Sequence, residues 1–137
     1  MADTSVTLRL TIADPVSGVL YSLHDKDSHP VGAVTATDAP LSFDVPVRLS
    51  DDNRWLGPFV RREGPLRRFI YIAIGQAAGD PASVWTRRAK IDIHDMPADV
   101  IAAVRGGQMA ELKLPGRGKD GTPACATVRP LGSWTLL

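Results

Sequence analysis

One cysteine, Cys125, and three histidines, His24, His29 and His94, are all that the 137 residues hold of the softer metal ligands. None of the four lies at ligand spacing from another, so no metal is expected, and no cofactor motif is present. A lone cysteine cannot close an intrachain disulfide, which points to a reducing compartment, the cytoplasm. Aromatic residues make up only 6% of the chain, and the isoelectric point is near 7.9. With no RNA-recognition signature, that balance argues against a nucleic-acid partner. No apolar run approaches the roughly 20 residues of a membrane helix. The start, Met1-Ala2-Asp3-Thr4-Ser5, has no basic stretch leading into an apolar one, so neither a membrane span nor a secretory signal is expected. Internal repeats and low-complexity linkers are missing too. The length then predicts one domain spanning 1–137.

What is present is alternation. Val6, Leu8, Leu10 and Ile12 alternate with Thr7, Arg9 and Thr11, the mark of a strand with one wet face. After Asp14-Pro15 and Ser17-Gly18, residues 19–23 are expected to return as a second strand, and 31–35 to form a third. Leu41, Phe43, Val45, Val47 and Leu49 alternate over the longest stretch, interrupted by Pro46, which cannot donate to a ladder and so predicts an edge strand or a bulge. Phe69 to Ile74 is apolar on both faces and is expected at the centre of a sheet or in a barrel wall covered on both sides. Strands follow at 84–93, 109–114, 127–128 and 134–136. One short helix is predicted near residues 97–105, with Asp95 as N-cap, Pro97 in the first turn and Gly106-Gly107 as the stop. Eight to nine short strands with one late helix predict a mainly β protein, an antiparallel β-sandwich or barrel.

The net charge of +1 conceals an asymmetry: residues 1–53 carry three basic and eight acidic groups (−5), residues 54–137 thirteen basic and seven acidic (+6). Three arginine pairs, Arg61-Arg62, Arg67-Arg68 and Arg87-Arg88, bracket the apolar core stretch. A guanidinium stays charged and is costly to bury alone. Carboxylates of the acidic half, solvent or an anionic ligand must therefore meet them. In extended chain, neighbours point to opposite faces, so one member of each pair serves a given surface. Arg62, Arg68, Arg88 and Lys90 are the candidates for a concave anion site, and Arg117 and Lys119 in a glycine-rich loop for a second contribution. The competing reading pairs the arginines with Asp38, Asp44 and Asp92.

Other constellations are weaker. The loop 116–122 has Asp120 where a P-loop needs Ser or Thr after its lysine, and it leads into a strand rather than a helix. Asp25-Lys26-Asp27 begins like a calcium loop, but Pro30 and Ala36 stand where Gly and Glu are required. His94 with Arg88 is the one place where an enzyme site is conceivable, and a Cys125–His94 dyad has no local signature. The tryptophans Trp55, Trp85 and Trp134 read as rim or core packing.

Four phrases then stand in order: Leu56-Gly57-Pro58-Phe59-Val60; Arg68-Phe69-Ile70-Tyr71-Ile72 with Gly75; Trp85-Thr86-Arg87-Arg88-Ala89-Lys90-Ile91; and the stretch from Leu114-Pro115-Gly116-Arg117 to Ala126-Thr127-Val128. In them the chain resembles a family of small bacterial proteins termed domain of unknown function 5990. The resemblance covers nearly the whole chain outside 25–40, and it implies a single bacterial domain with no catalytic residue to carry over. Three function classes follow: a small binding or accessory domain for an anionic small molecule or an acidic protein surface; an enzyme with a site near His94 and Arg88; and a homo-oligomeric structural protein, packed through the Pro46 strand or Trp134.

Overall fold

The computed structural model describes residues 3–27, 29–65, 67–76, 85–93, 96–114, 127–128 and 134–137. The alternating stretches become strands, and the chain shuttles them between two sheets. β1 (Thr4–Ile12) lies in the first sheet; β2 (Val19–His24) and β3 (Pro30–Thr35) lie in the second. β4 (Leu41–Leu49) and β5 (Trp55–Leu56) return to the first. β6 (Arg61–Glu63), β7 (Arg67–Gln76) and β8 (Trp85–Asp92) rejoin the second. Helix α1 (Ala98–Arg105) leads back to β9 (Ala110–Leu114), and the short β10 (Thr127–Val128) and β11 (Trp134–Leu136) add one strand to each sheet. The orders are β11-β9-β1-β4-β5 and β10-β8-β7-β2-β3, with β6 paired to the first residues of β7. Neither sheet closes on itself, so of the two expected architectures the sandwich is the one formed.

Residues 19–23 form the expected second strand, but in the sheet opposite β1. Gly18, at φ +83°, turns the chain away, and β2 pairs with β3 and β7 in the opposite sheet. Nor is the pairing wholly antiparallel: β1 runs parallel to β9, and β8 to β10. Between the sheets, Leu8 and Leu10 of β1, Val45 and Leu49 of β4, Ile70 and Ile72 of β7, and Ile91 and Leu112 form the core. β7 is buried on both faces from Phe69 to Ile74, as its unbroken apolar run predicts. β4 shows strict alternation, with Ser42, Asp44, Pro46 and Arg48 exposed. Pro46 faces Thr7 of β1, and β5 covers only Arg48 and Leu49, so most of the outer side of β4 is an edge, where a residue without N–H is tolerated. In α1, Pro97 takes the cap position with no side-chain bond, while Asp95 lies outside the described residues. Val100 and Val104 bury its inner face.

On the wet face of the first sheet, Arg9 Nε donates to Asp44 Oδ1 at 2.8 Å. The Asp44 carboxyl is held below its ordinary value, first by this hydrogen bond and, against the opposing effect of burial, by the charge of Arg9. A depressed folded-state pKa contributes stability above the unfolded value near 4 and loses it as pH falls through the folded one. Asp44→Asn will therefore be slightly less stable than the parent at pH 7, and the gap will close in acid, where a protonated Asp44 resembles Asn. Urea unfolding at pH 7 and pH 3 checks this; a gap that persists at pH 3 would contradict it. The effect will be small, because the pair is solvent-exposed.

Candidate functional site

The basic segment acquires its shape from one tight hairpin. β6 and β7 are joined through Gly64-Pro65, and Gly64 sits at φ +78°, a left-handed conformation in which any Cβ is strained. The register sets Arg61 opposite Phe69, Arg62 opposite Arg68, and Glu63 opposite Arg67. Cross-strand partners share a face, so two sets of charges separate. On the outer side, the Arg61 guanidinium lies 5.5 Å from the centroid of the Tyr71 ring, and Tyr71 Oη donates to Glu63 Oε1 at 2.7 Å. On the other side, which carries Ile70, Ile72 and Ile74 into the core, Arg62 and Arg68 confront each other.

Arg68 is 5% exposed. Its Nη1 donates to the carbonyl of Arg67 at 3.0 Å and approaches that of Pro65 at 3.5 Å, too long for a strong bond. Arg62 is exposed and, among the described residues, makes one weak contact, Nε to the Gly64 carbonyl at 3.4 Å. Among the described residues no carboxylate lies within ion-pair distance of either guanidinium. Burial first, then the charges of Arg62 and Arg54, push the Arg68 pKa below the ordinary arginine value. The group still remains a cation at physiological pH.

Arg54 is the member that the sequence did not single out. It ends a turn held by Ser50: Ser50 N–H donates to the Arg54 carbonyl (2.9 Å), Arg54 N–H to Ser50 Oγ (2.9 Å), and Ser50 Oγ to Asp52 Oδ1. Asn53 adopts φ +64°, a conformation asparagine tolerates better than most residues. Asp52 in turn holds Arg54, with Nε to Oδ2 at 3.0 Å. From the last turn of α1, Arg105 Nη2 donates to the Ser50 carbonyl at 2.8 Å and to Asn53 Oδ1 at 2.5 Å. The helix thus fixes the turn that presents Arg54. No local pattern links Arg105 to residues 50–53; only the fold does.

The other predicted residues fall elsewhere. The backbone register puts Lys90 opposite Tyr71 and Arg88 opposite Ala73. Those are the alternate positions of β7, on the side away from Arg68, so the four-residue patch Arg62, Arg68, Arg88 and Lys90 divides between two faces of one sheet. Arg117, Lys119, His94 and Cys125 lie outside the described residues. Asp44 serves Arg9, so it does not neutralise the arginine pairs. Trp55 and Trp134 are buried in the core, which takes Trp134 away from the role of subunit contact. Asp25 accepts the backbone N–H groups of Asp27 and His29, each at 2.9 Å, and thereby closes its own loop.

Two shallow grooves, of about 250 and 190 Å³, share Ser5, Val6 and Thr7 as a wall, and none of the arginines of the basic segment lines either. Neither the curated proteins nor the solved structures hold a match to the chain. Residues 6–137 match the family model described as Family of unknown function (DUF5990), and the chain belongs to that family.

Proposed function

We propose that the protein is a small single-domain binding module of the bacterial cytoplasm that takes an anion at Arg62, Arg68 and Arg54. One observation carries the reading. Arg68 is buried, holds only main-chain carbonyls among the described residues, and faces another arginine across the hairpin. Like charges directly opposite in a sheet destabilise it, and a desolvated cation without a counter-charge costs more still. An anion between the two guanidinium groups removes both penalties. The lone Cys125 agrees with a reducing compartment.

The linked test is thermal unfolding at constant ionic strength. A ligand of the native state stabilises by about 2.7 kcal/mol at one hundred times its Kd. Phosphate, sulfate and citrate should therefore raise the melting temperature above that in chloride, and Arg62→Ala, an exposed change that leaves the core intact, should remove most of the rise. Identical melting in all salts, or an undiminished rise in the variant, would refute the reading.

A further inference from the structure

We propose that the anion is one dianionic phosphate group, free or at the end of a small molecule, gripped between the forks of Arg62 and Arg68. This rests on the anion-binding reading above and narrows it to a chemical class. Charge comes first. Arg62 and Arg68, opposite each other across the hairpin, supply two positive charges, while Arg54 is already paired with Asp52. A phosphate monoester carries about −1.5 to −2 at pH 7. A monocarboxylate leaves one desolvated positive charge behind.

Geometry agrees. Residues directly opposite across an antiparallel pair have Cβ atoms about 5 Å apart, so both forks can converge on a single group. A carboxylate has two oxygens, and one bidentate arginine occupies both. A terminal phosphate has three, enough for one fork and part of the second. Arg68, buried and braced by the Arg67 carbonyl, forms a fixed floor. Arg62, exposed and lightly held, is the arm that closes over the ligand. A polymer fits poorly: its diesters carry one charge each and are held by rows of surface cations, whereas Arg68 is only 5% exposed. The other cation of β6, Arg61, is stacked over Tyr71 on the opposite side.

Calorimetric titration of the full chain with inorganic phosphate, glycerol phosphate, sulfate, acetate and a single-stranded oligonucleotide tests the assignment, at pH 7.5 and at pH 5. Both phosphates should bind and weaken at least tenfold at pH 5, the inorganic ion more than the ester, following the loss of dianion around second pKa values of about 6–7, while sulfate binding stays level. Arg62→Ala and Arg68→Met should each abolish phosphate binding at pH 7.5. Equal affinity for inorganic and glycerol phosphate identifies the free ion as sufficient; a preference for the ester identifies a phosphorylated small molecule. Either result supports the assignment. Acetate or the oligonucleotide binding as tightly as phosphate, with the same sensitivity to Arg62, would leave an anion site but overturn the phosphate assignment. No anion responding to either variant would overturn both.

Discussion

Ile70→Ala will lower stability by about 3–4 kcal/mol, within the range for truncating a fully buried isoleucine. In a domain of this length that is roughly 10–15 °C in melting temperature. Ile70 is 0% exposed, stands opposite Ile91 across β7 and β8, and belongs to the core between the sheets. Removing three carbons there takes away their transfer free energy and leaves a void, because a strand held by β8 on one edge and by β6 and β2 on the other cannot collapse into it. Ile70→Val, which removes one methylene, should cost about 1 kcal/mol. Denaturant unfolding of both variants decides the point. A loss below about 1 kcal/mol for the alanine would mean that the two sheets do not meet at this residue.

Two positions earlier on the same face, the sign reverses. Arg68→Met will stabilise the protein by about 1–3 kcal/mol in low-salt chloride. The gain comes from removing a buried cation that meets no carboxylate among the described residues, and its repulsion by Arg62 and Arg54, while a flexible chain of similar length fills the space. Most core substitutions destabilise, so a gain here is diagnostic. It should shrink or vanish in saturating phosphate, where the parent protein recovers its counter-charge and the variant has no ligand to gain. A variant less stable than the parent in chloride would show that the two carbonyl contacts and the packing of the arginine stem outweigh its burial cost. Opposite signs at Ile70 and Arg68 would separate a site from the core it is built upon.

Much of the fold could be read from residue order, because burial writes itself into alternation. The β4 pattern from Leu41 to Leu49, the double-sided burial of 69–74 and the short helix all followed from it. The Arg62–Arg68 pairing was within reach as well: a hairpin centred on Pro65 pairs residues equally distant from it, three before with three after. Sheet membership was not. Val19 to Leu23 reads the same whether it folds back on β1 or crosses to the other sheet, and only Gly18 and the packing of Tyr21 and Leu23 against β7 decide. Arg54 escaped notice because Arg105, which helps to fix its turn, comes from a helix about fifty residues later in the chain. The separation of Arg88 and Lys90 from Arg68 needed the β7–β8 register, which no composition reveals.

The parallel neighbour of β1 has a kinetic corollary. Leu8 to Ile12 must find Ala110 to Leu114, and Thr11 Oγ1 donates to Glu111 across a separation of 100 residues. Such distant pairing raises the loop-closure cost in the transition state and slows folding. During synthesis at about 5–20 residues per second, the first strand waits roughly 5–20 s before its partner is made. One backbone edge of β1 is bare throughout that interval. A nascent chain of this protein is therefore exposed to mispairing along that edge until β9 emerges, well after the residues of the arginine hairpin have been made.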